Sequence, residues 1–194
     1  MPKIFVIGCN KTATGTLHSL FLRNGLTSLH HPRWNWQKGQ FQCYSDGGQL
    51  QDLPAIYARY PNAIYILNTR SLEGWLSSRF KMGIAQPAHK WAWPMTREQI
   101  VKWITLRRTH HEKVLRFFRT HPGRLIIVNI DRPGWIPYLC GQLNIQAKPI
   151  AKVNSVDHMP HVTEFVAARL AELQISGAEL LHRNADLKGF TCYL

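Results

Sequence analysis

The sequence is short of acid. Eleven aspartates and glutamates stand against 24 lysines and arginines, for a formal charge of +13. Such a surface attracts anions: nucleic acid, acidic lipid, polyanionic sugar or a nucleotide with several phosphates. Charge alone does not choose among these, and a solvated basic surface that keeps the chain soluble would look the same. Cysteine is also scarce. Cys9, Cys43, Cys140 and Cys192 lie far apart without the paired spacing of zinc or redox motifs, which speaks against a metal site or disulfide framework and for buried free thiols. Long apolar runs are missing too: the longest, around Ile64–Leu67 and Leu125–Val128, are strand-sized, so no transmembrane segment is expected. Met1-Pro2-Lys3 leads straight into a strand pattern without signal-peptide architecture, and a cytoplasmic location is expected. No repeat, low-complexity tract or linker divides the 194 residues, so residues 1–194 are read as one domain.

What is present alternates strands and helices. Lys3–Ile7 is β-branched and alternating, and a Gly/Thr-rich loop follows before Leu17, Leu20 and Phe21 fall at helical spacing. Thr27–His30 is a second short strand candidate, Leu50–Tyr60 a helix stopped by Pro61-Asn62, Ala63–Thr69 a strand and Leu72–Lys81 the helix behind it. Residues Met82–Met95, with Pro87, Trp91, Trp93 and Pro94, lack periodicity and read as loop. Thr96 followed by Gln99 is a capping-box signal opening a long helix towards Thr120. Leu125–Ile130 is a further strand, and Trp135–Leu143 and His161–Leu173 are helices. This order predicts a three-layer α/β/α domain with a central, mostly parallel sheet and right-handed crossovers. Ligands of such sheets sit at the carboxyl ends of the strands, which directs attention to the loops after Ile7 and Thr69.

The first loop runs Gly8-Cys9-Asn10-Lys11-Thr12-Ala13-Thr14-Gly15-Thr16. A helix N-terminus with free N–H groups suits an anion, small residues allow close approach, and threonine hydroxyls add donors. It departs from the triphosphatase loop G-x-x-x-x-G-K-[ST]. Gly15 is followed by Thr16, the lysine comes four residues before Gly15, and no obvious acidic strand end for Mg²⁺ follows. The second loop carries Arg70 at a strand end, with Ser78 eight residues on and two turns into the next helix. Arginine recognises phosphate bidentately and serine can complete the shell. The first loop alone is equally compatible with a tight turn carrying a solvated lysine, and the second alone reads better as a surface strand-end arginine and a serine filling the helix.

Taken together, Lys11-Thr12-Ala13-Thr14-Gly15-Thr16-Leu17 and the Arg70…Ser78 pair make the chain resemble the PAPS-dependent sulfotransferases, in their small bacterial-type branch, where the first motif reads like K-T-G-T-T-S-L. The similarity runs on through His111-Glu112-Lys113-Val114-Leu115-Arg116-Phe117-Phe118, Leu125–Ile130 and Gly134-Trp135 to about Val153-Asn154. Ala13 and Gly15 exchange the usual glycine and threonine, and Lys152 stands where relatives often carry histidine.

The resemblance implies a P-loop NTPase-like sulfotransferase fold. It also implies transfer of a sulfuryl group from 3′-phosphoadenosine 5′-phosphosulfate (PAPS) to an acceptor hydroxyl, with PAP as product and no metal needed. Lys11 would stabilise the leaving phosphate, Thr12, Ala13, Thr14, Gly15 and Thr16 would hold the 5′-phosphate, and Arg70 and Ser78 the 3′-phosphate. Relatives place a histidine or carboxylate a little over twenty residues before the arginine, which points to Asp46 as the base. Asp46-Gly47-Gly48 is equally a turn signal. His111 matches the family pattern as a catalytic or bracing residue, with His30 and His31 as further candidates. Trp34, Trp36, Trp91 and Trp93 suit an acceptor cleft or an adenine stack as well as core packing.

Two rival readings stand beside this one. A basic nucleic-acid-binding module would use Arg107, Arg108, Arg116 and Arg119 as a helical stripe facing phosphate, but no recognition signature accompanies them and no stable nucleic-acid partner is expected. A P-loop small-molecule kinase would need ATP and Mg²⁺. The expected acceptor is a hydroxylated carbohydrate or other small molecule, anionic acceptors included; the sequence does not fix oligomeric state.

Overall fold

A computed structural model describes residues 1–85, 93–150, 159–181 and 185–194. Pro87, Trp91, Lys152, Val153 and Asn154, named above, lie outside the described residues.

Alternation of side chains along the strands builds two cores at once. Ile4 and Val6, Ile64 and Ile66, and Ile126 and Val128 face one side of the sheet, while Phe5, Tyr65, Leu67, Leu125 and Ile127 face the other. The strands carrying them are β1 (Ile4–Val6), β4 (Ile64–Thr69) and β5 (Arg124–Asn129), and every residue of β1 and β4 is buried. Burial on both faces is what a parallel sheet between two helical layers demands. Three short strands complete it: β2 (Ser28–His30), β3 (Cys43–Ser45) and β6 (Thr191–Tyr193). The order is β2-β3-β1-β4-β5-β6. All neighbours pair parallel, Ile4 opposite both Cys43 and Ile64, and Ile64 opposite Arg124. The expected mostly parallel sheet is therefore wholly parallel.

Helices α1 (Thr14–Arg23) and α5 (Trp135–Leu143) cover the Ile4 face through Leu17, Leu20, Phe21, Leu139 and Leu143. The Phe5 face takes α2 (Leu53–Arg59) and the second half of α4 (Arg97–Thr120) through Ile56, Val114, Leu115 and Phe118. The first half of α4 packs in a third core with α3 (Leu72–Ala85) and α6 (Pro160–Glu172), joined by Trp75, Phe80, Trp103, Val162 and Val166. Cys9 belongs to that core too, so the loop after β1 rests on it.

Two boundaries moved. The helix expected from Leu50 begins at Leu53, because Gly48–Leu50 forms a 3-10 turn and Asp52 caps the helix by accepting from Ala55 N at 3.1 Å. The helix after β4 runs on to Ala85, into the stretch read as loop. Half of the capping box expected at Thr96 is met: its side chain accepts from Gln99 N at 3.2 Å, while its own N–H donates to Pro94 O at 2.9 Å and not to the Gln99 side chain.

Candidate active site

The loop after β1 is shaped from beneath by a residue of β4. Asn68 is fully buried. Its Oδ1 accepts from Gly8 N at 3.1 Å, and its Nδ2 donates to Thr12 O at 2.5 Å and Thr12 Oγ1 at 2.7 Å. One side chain thus holds both ends of the loop. Gly8 is glycine for a steric reason, since a Cβ there would overlap Asn68 Oδ1 and the Asn68 carbonyl oxygen. Thr12 donates its hydroxyl to Cys9 O and is 1% exposed, so its hydroxyl serves the loop and is not free for a ligand as the sequence suggested. Between these ties the chain turns sharply. Lys11 and Ala13 have φ of 65° and 64°, left-handed values that cost a non-glycine residue about 1–2 kcal/mol each. Ala13 occupies the position where the resembling motif carries glycine.

Ala13 leads into α1, whose N-terminus has no side-chain cap. The N–H groups of Thr14, Gly15 and Thr16 in its first turn have no intrahelical acceptor and, with the positive end of the helix dipole, are of the kind that suits an anion.

Cations gather around it. The Lys11 ammonium is pushed below its usual pKa chiefly by burial, against the pull of Asp46 and with the repulsion of Arg70 and Arg79. Arg79, on α3, donates from Nη1 to Asn10 Oδ1 at 2.6 Å. Burial lowers its pKa to about 10. Its guanidinium lies 5.1, 5.5 and 4.3 Å from the ring centres of Trp75, Trp93 and Trp103. Trp75 in turn donates from Nε1 to Asn10 O at 2.9 Å. Arg107, on α4, is 3% exposed and also lowered to about 10 by burial. It donates to Thr69 Oγ1 at 3.1 Å, Arg70 O at 2.5 Å and Leu180 O at 2.5 Å.

Arg70 leaves β4 and lies across the first turn of α3. A Cβ at Gly74 would sit 2.9 Å from Arg70 Nη2, so glycine there makes room for the guanidinium. Ser78 is one turn further on the same helix face, half-exposed. Asp131, just past β5, holds Arg70: Oδ1 lies 3.2 Å from Nη2, while Oδ2 accepts from Ser71 N and Ser71 Oγ, each at 2.8 Å.

On the other side of the loop, Asp46 follows β3 with φ of 72°. Its carbonyl accepts from Trp34 Nε1 at 2.6 Å. Trp34 is a core residue, 1% exposed, that fixes this turn. The turn reading of Asp46 and its place at the site hold together. His30, at the end of β2, has Nε2 3.2 Å from Thr14 Oγ1. Burial lowers its pKa, with Asp46 raising and His31 and Lys11 lowering it. Lys11, Thr14, His30 and Asp46 are therefore one cluster, and of the two histidines His30 joins it, while His31 turns to the Arg33 backbone at 3.0 Å.

His111 is elsewhere. It is 1% exposed within α4. Its neighbour His110 braces the end of the first strand: His110 Nε2 donates to Ile7 O at 2.6 Å, and burial pushes its pKa down to about 4. A cavity of about 10 Å³ lies between Ile7, Gly48, His110 and Lys113, about the room one water needs. The arginine stripe of α4 also dissolves. Arg107 is spent on carbonyls, Arg108 pairs with Glu179 at 2.7 Å and Arg119 with Asp186 at 3.0 Å, both anchoring the C-terminal segment. Only Arg116 of the four is exposed without such a pairing among the described residues.

Sequence reasoning missed Asn68, Arg79 and Asp131, and read Arg107 as part of a phosphate-facing stripe where the structure uses it on backbone carbonyls. An asparagine inside an apolar strand was the one signal that pointed to a structural need. In comparisons with known proteins, no family model and no curated protein matches the chain. Among the described residues no helix is long and apolar enough to cross a membrane, and no group of three or more His, Cys, Asp or Glu is placed to hold a metal.

Proposed function

We propose that the chain is a sulfotransferase that moves a sulfuryl group from PAPS to an acceptor hydroxyl. The observation that carries this reading is the concentration of positive charge on a loop built to receive an anion. Lys11, Arg70 and Arg79 repel one another around an uncapped helix N-terminus, an arrangement that an incoming polyanion relieves. Supporting it, Gly74 makes room for the Arg70 guanidinium across the first turn of α3, with Ser78 one turn on along the same face, a grouping that suits a second phosphate. A donor phosphorylated at 3′ and carrying phosphosulfate at 5′ matches both places.

PAPS supplies an activated sulfuryl group on a weakly basic phosphate. In an in-line displacement the acceptor oxygen bonds to sulfur as the bond from sulfur to the 5′-phosphate oxygen breaks, and the hydroxyl proton passes to a base. Lys11 is the cation for the charge that grows on the leaving oxygen, and its neighbours leave it poorly solvated, so its field is little screened. The N–H groups of Thr14, Gly15 and Thr16 hold the 5′-phosphate. Asp46 and His30 are the two groups able to take the proton. Burial keeps His30 neutral at neutral pH and therefore able to accept it, while Asp46 can orient the imidazole or act directly.

Calorimetric titration with PAP without metal, beside ATP with Mg²⁺, tests the reading. Metal-independent binding of PAP that weakens at least tenfold in Arg70→Ala is expected. Binding of ATP–Mg²⁺ alone would overturn it in favour of a kinase that uses Asp46, at the end of the strand beside β1, as its metal carboxylate.

A further inference from the structure

Arg79 has no counterpart in the motifs that prompted the functional reading. It is the residue after Ser78, yet its guanidinium turns from the Arg70 stripe to the loop after β1, where it meets Asn10 Oδ1 at 2.6 Å. Three tryptophans, Trp75, Trp93 and Trp103, hold it by their faces within 5.5 Å of their centres. Trp75 is tied to the same loop residue through Asn10 O, so cage and loop are one assembly. No carboxylate pairs with Arg79 among the described residues, and its buried Nε has no acceptor there. A cation that is desolvated, rigid and without a counter-ion is costly to keep. Aromatic faces recover part of that cost, but a methionine or leucine would fill the same space without it.

We propose that Arg79 is a specificity-determining residue for the 5′ end of the donor: it sets the loop through Asn10 and adds a fixed positive charge beside Lys11, which the 5′-phosphosulfate meets. The proposal rests on the sulfotransferase reading. It divides the nucleotide between two arginines of one helix region, Arg70 taking the 3′-phosphate and Arg79 governing the 5′ group.

The test is a crossed ligand dissection. PAP, adenosine 5′-phosphate and adenosine 3′-phosphate are titrated into the full chain and into Arg79→Gln, Arg79→Lys and Arg70→Ala, each first shown by circular dichroism to be folded. Arg79→Gln is expected to lose roughly tenfold to a hundredfold in affinity for PAP and for adenosine 5′-phosphate while holding adenosine 3′-phosphate as the parent does. Arg70→Ala should show the reverse, and Arg79→Lys should recover part of the loss. Equal weakening of all three ligands in Arg79→Gln would mean a general packing role and overturns the proposal, as does unchanged binding. Should Arg79→Gln fail to fold, Asn10→Ala removes the tie to the loop and must show the same selective loss at the 5′ end. A parent chain that binds none of the three ligands sinks the functional reading itself, and this proposal with it. A parent that binds them while Arg79→Gln shows no 5′ selectivity sinks this proposal alone.

Discussion

Two residues decide the shape of the loop, and each yields a prediction. Asn68 satisfies Gly8 N–H, Thr12 O and Thr12 Oγ1 in a place no water reaches. Replacing it by alanine strands those groups, at about 1–3 kcal/mol for each one left unpaired. We expect Asn68→Ala to lose about 3 kcal/mol in urea unfolding. Ala13 is the opposite case. Its φ of 64° costs about 1–2 kcal/mol for an L-residue, while glycine would add about 0.5–1 kcal/mol of backbone entropy loss. Ala13→Gly should therefore raise stability by roughly 0.5–1 kcal/mol in the same assay, and a less stable variant would show that its methyl makes a packing contact that outweighs the strain. Neither residue could be judged from sequence alone in this way. Asn68 reads there as a polar interruption of a strand, and the backbone angle of position 13 is visible only because the motif it resembles has glycine at that point. Lys11 and Arg70 stood out because they follow strands at the carboxyl edge of a parallel sheet, whereas Asp46 was singled out only by the family resemblance, its own residues reading equally as a turn. Arg79 was not, since its cage is assembled from α3, Trp93 and α4, segments apart in the chain.

At the level of elements, long periodic segments announced themselves, as did the short strands Ile4–Val6 and Ser28–His30, while two other short strands did not. Trp135–Leu143 and the capped helix from Arg97 came out where the pattern put them. Cys43–Ser45 and Thr191–Tyr193 are three residues each, too short to show alternation, and their strand character comes from parallel neighbours far along the chain. The 24-residue helix α4, about 36 Å long, joins the second and third cores and is pinned to β1 by His110. That pin is pH-sensitive. His110 is held neutral, with a folded pKa of about 4 against 6.5 for the free group, so between those values the unfolded chain binds more protons than the folded one. Stability from this group is complete above about pH 6.5, falls as pH drops towards 4, and is level below. The full span is of the order of 3 kcal/mol. His110→Gln can still donate to Ile7 O but does not titrate. Comparing urea midpoints at pH 7 and pH 4.5, the parent should lose markedly more stability than His110→Gln. Equal losses would place the pH sensitivity in His18 and His30, whose pKa values burial lowers as well.

For the whole molecule, the parallel sheet does what no single motif does: it brings the carboxyl ends of five neighbouring strands to one edge. From that edge β1 contributes Lys11, β2 His30, β3 Asp46, β4 Arg70 and β5 Asp131. The chain carries a net charge of +13, and two of the cations at the loop, Lys11 and Arg79, are poorly solvated. An anion bound there should stabilise the fold by removing their mutual repulsion as well as by mass action. With PAP at about one hundred times its dissociation constant, mass action supplies about 2.7 kcal/mol. For a chain of this length each kcal/mol moves the melting temperature by about 2–4 °C, giving a rise of about 5–10 °C. Differential scanning fluorimetry without metal should show that rise for PAP, with a smaller one at the same PAP concentration in high salt, because screening weakens the attraction. In Arg70→Ala the PAP shift should fall towards that given by adenosine 5′-phosphate, since on the proposed assignment only Ser78 is left for the 3′-phosphate. An equal or larger shift with ATP and Mg²⁺ would mean that the edge reads a triphosphate and its metal, and that Asp46 serves the cation rather than the acceptor's proton.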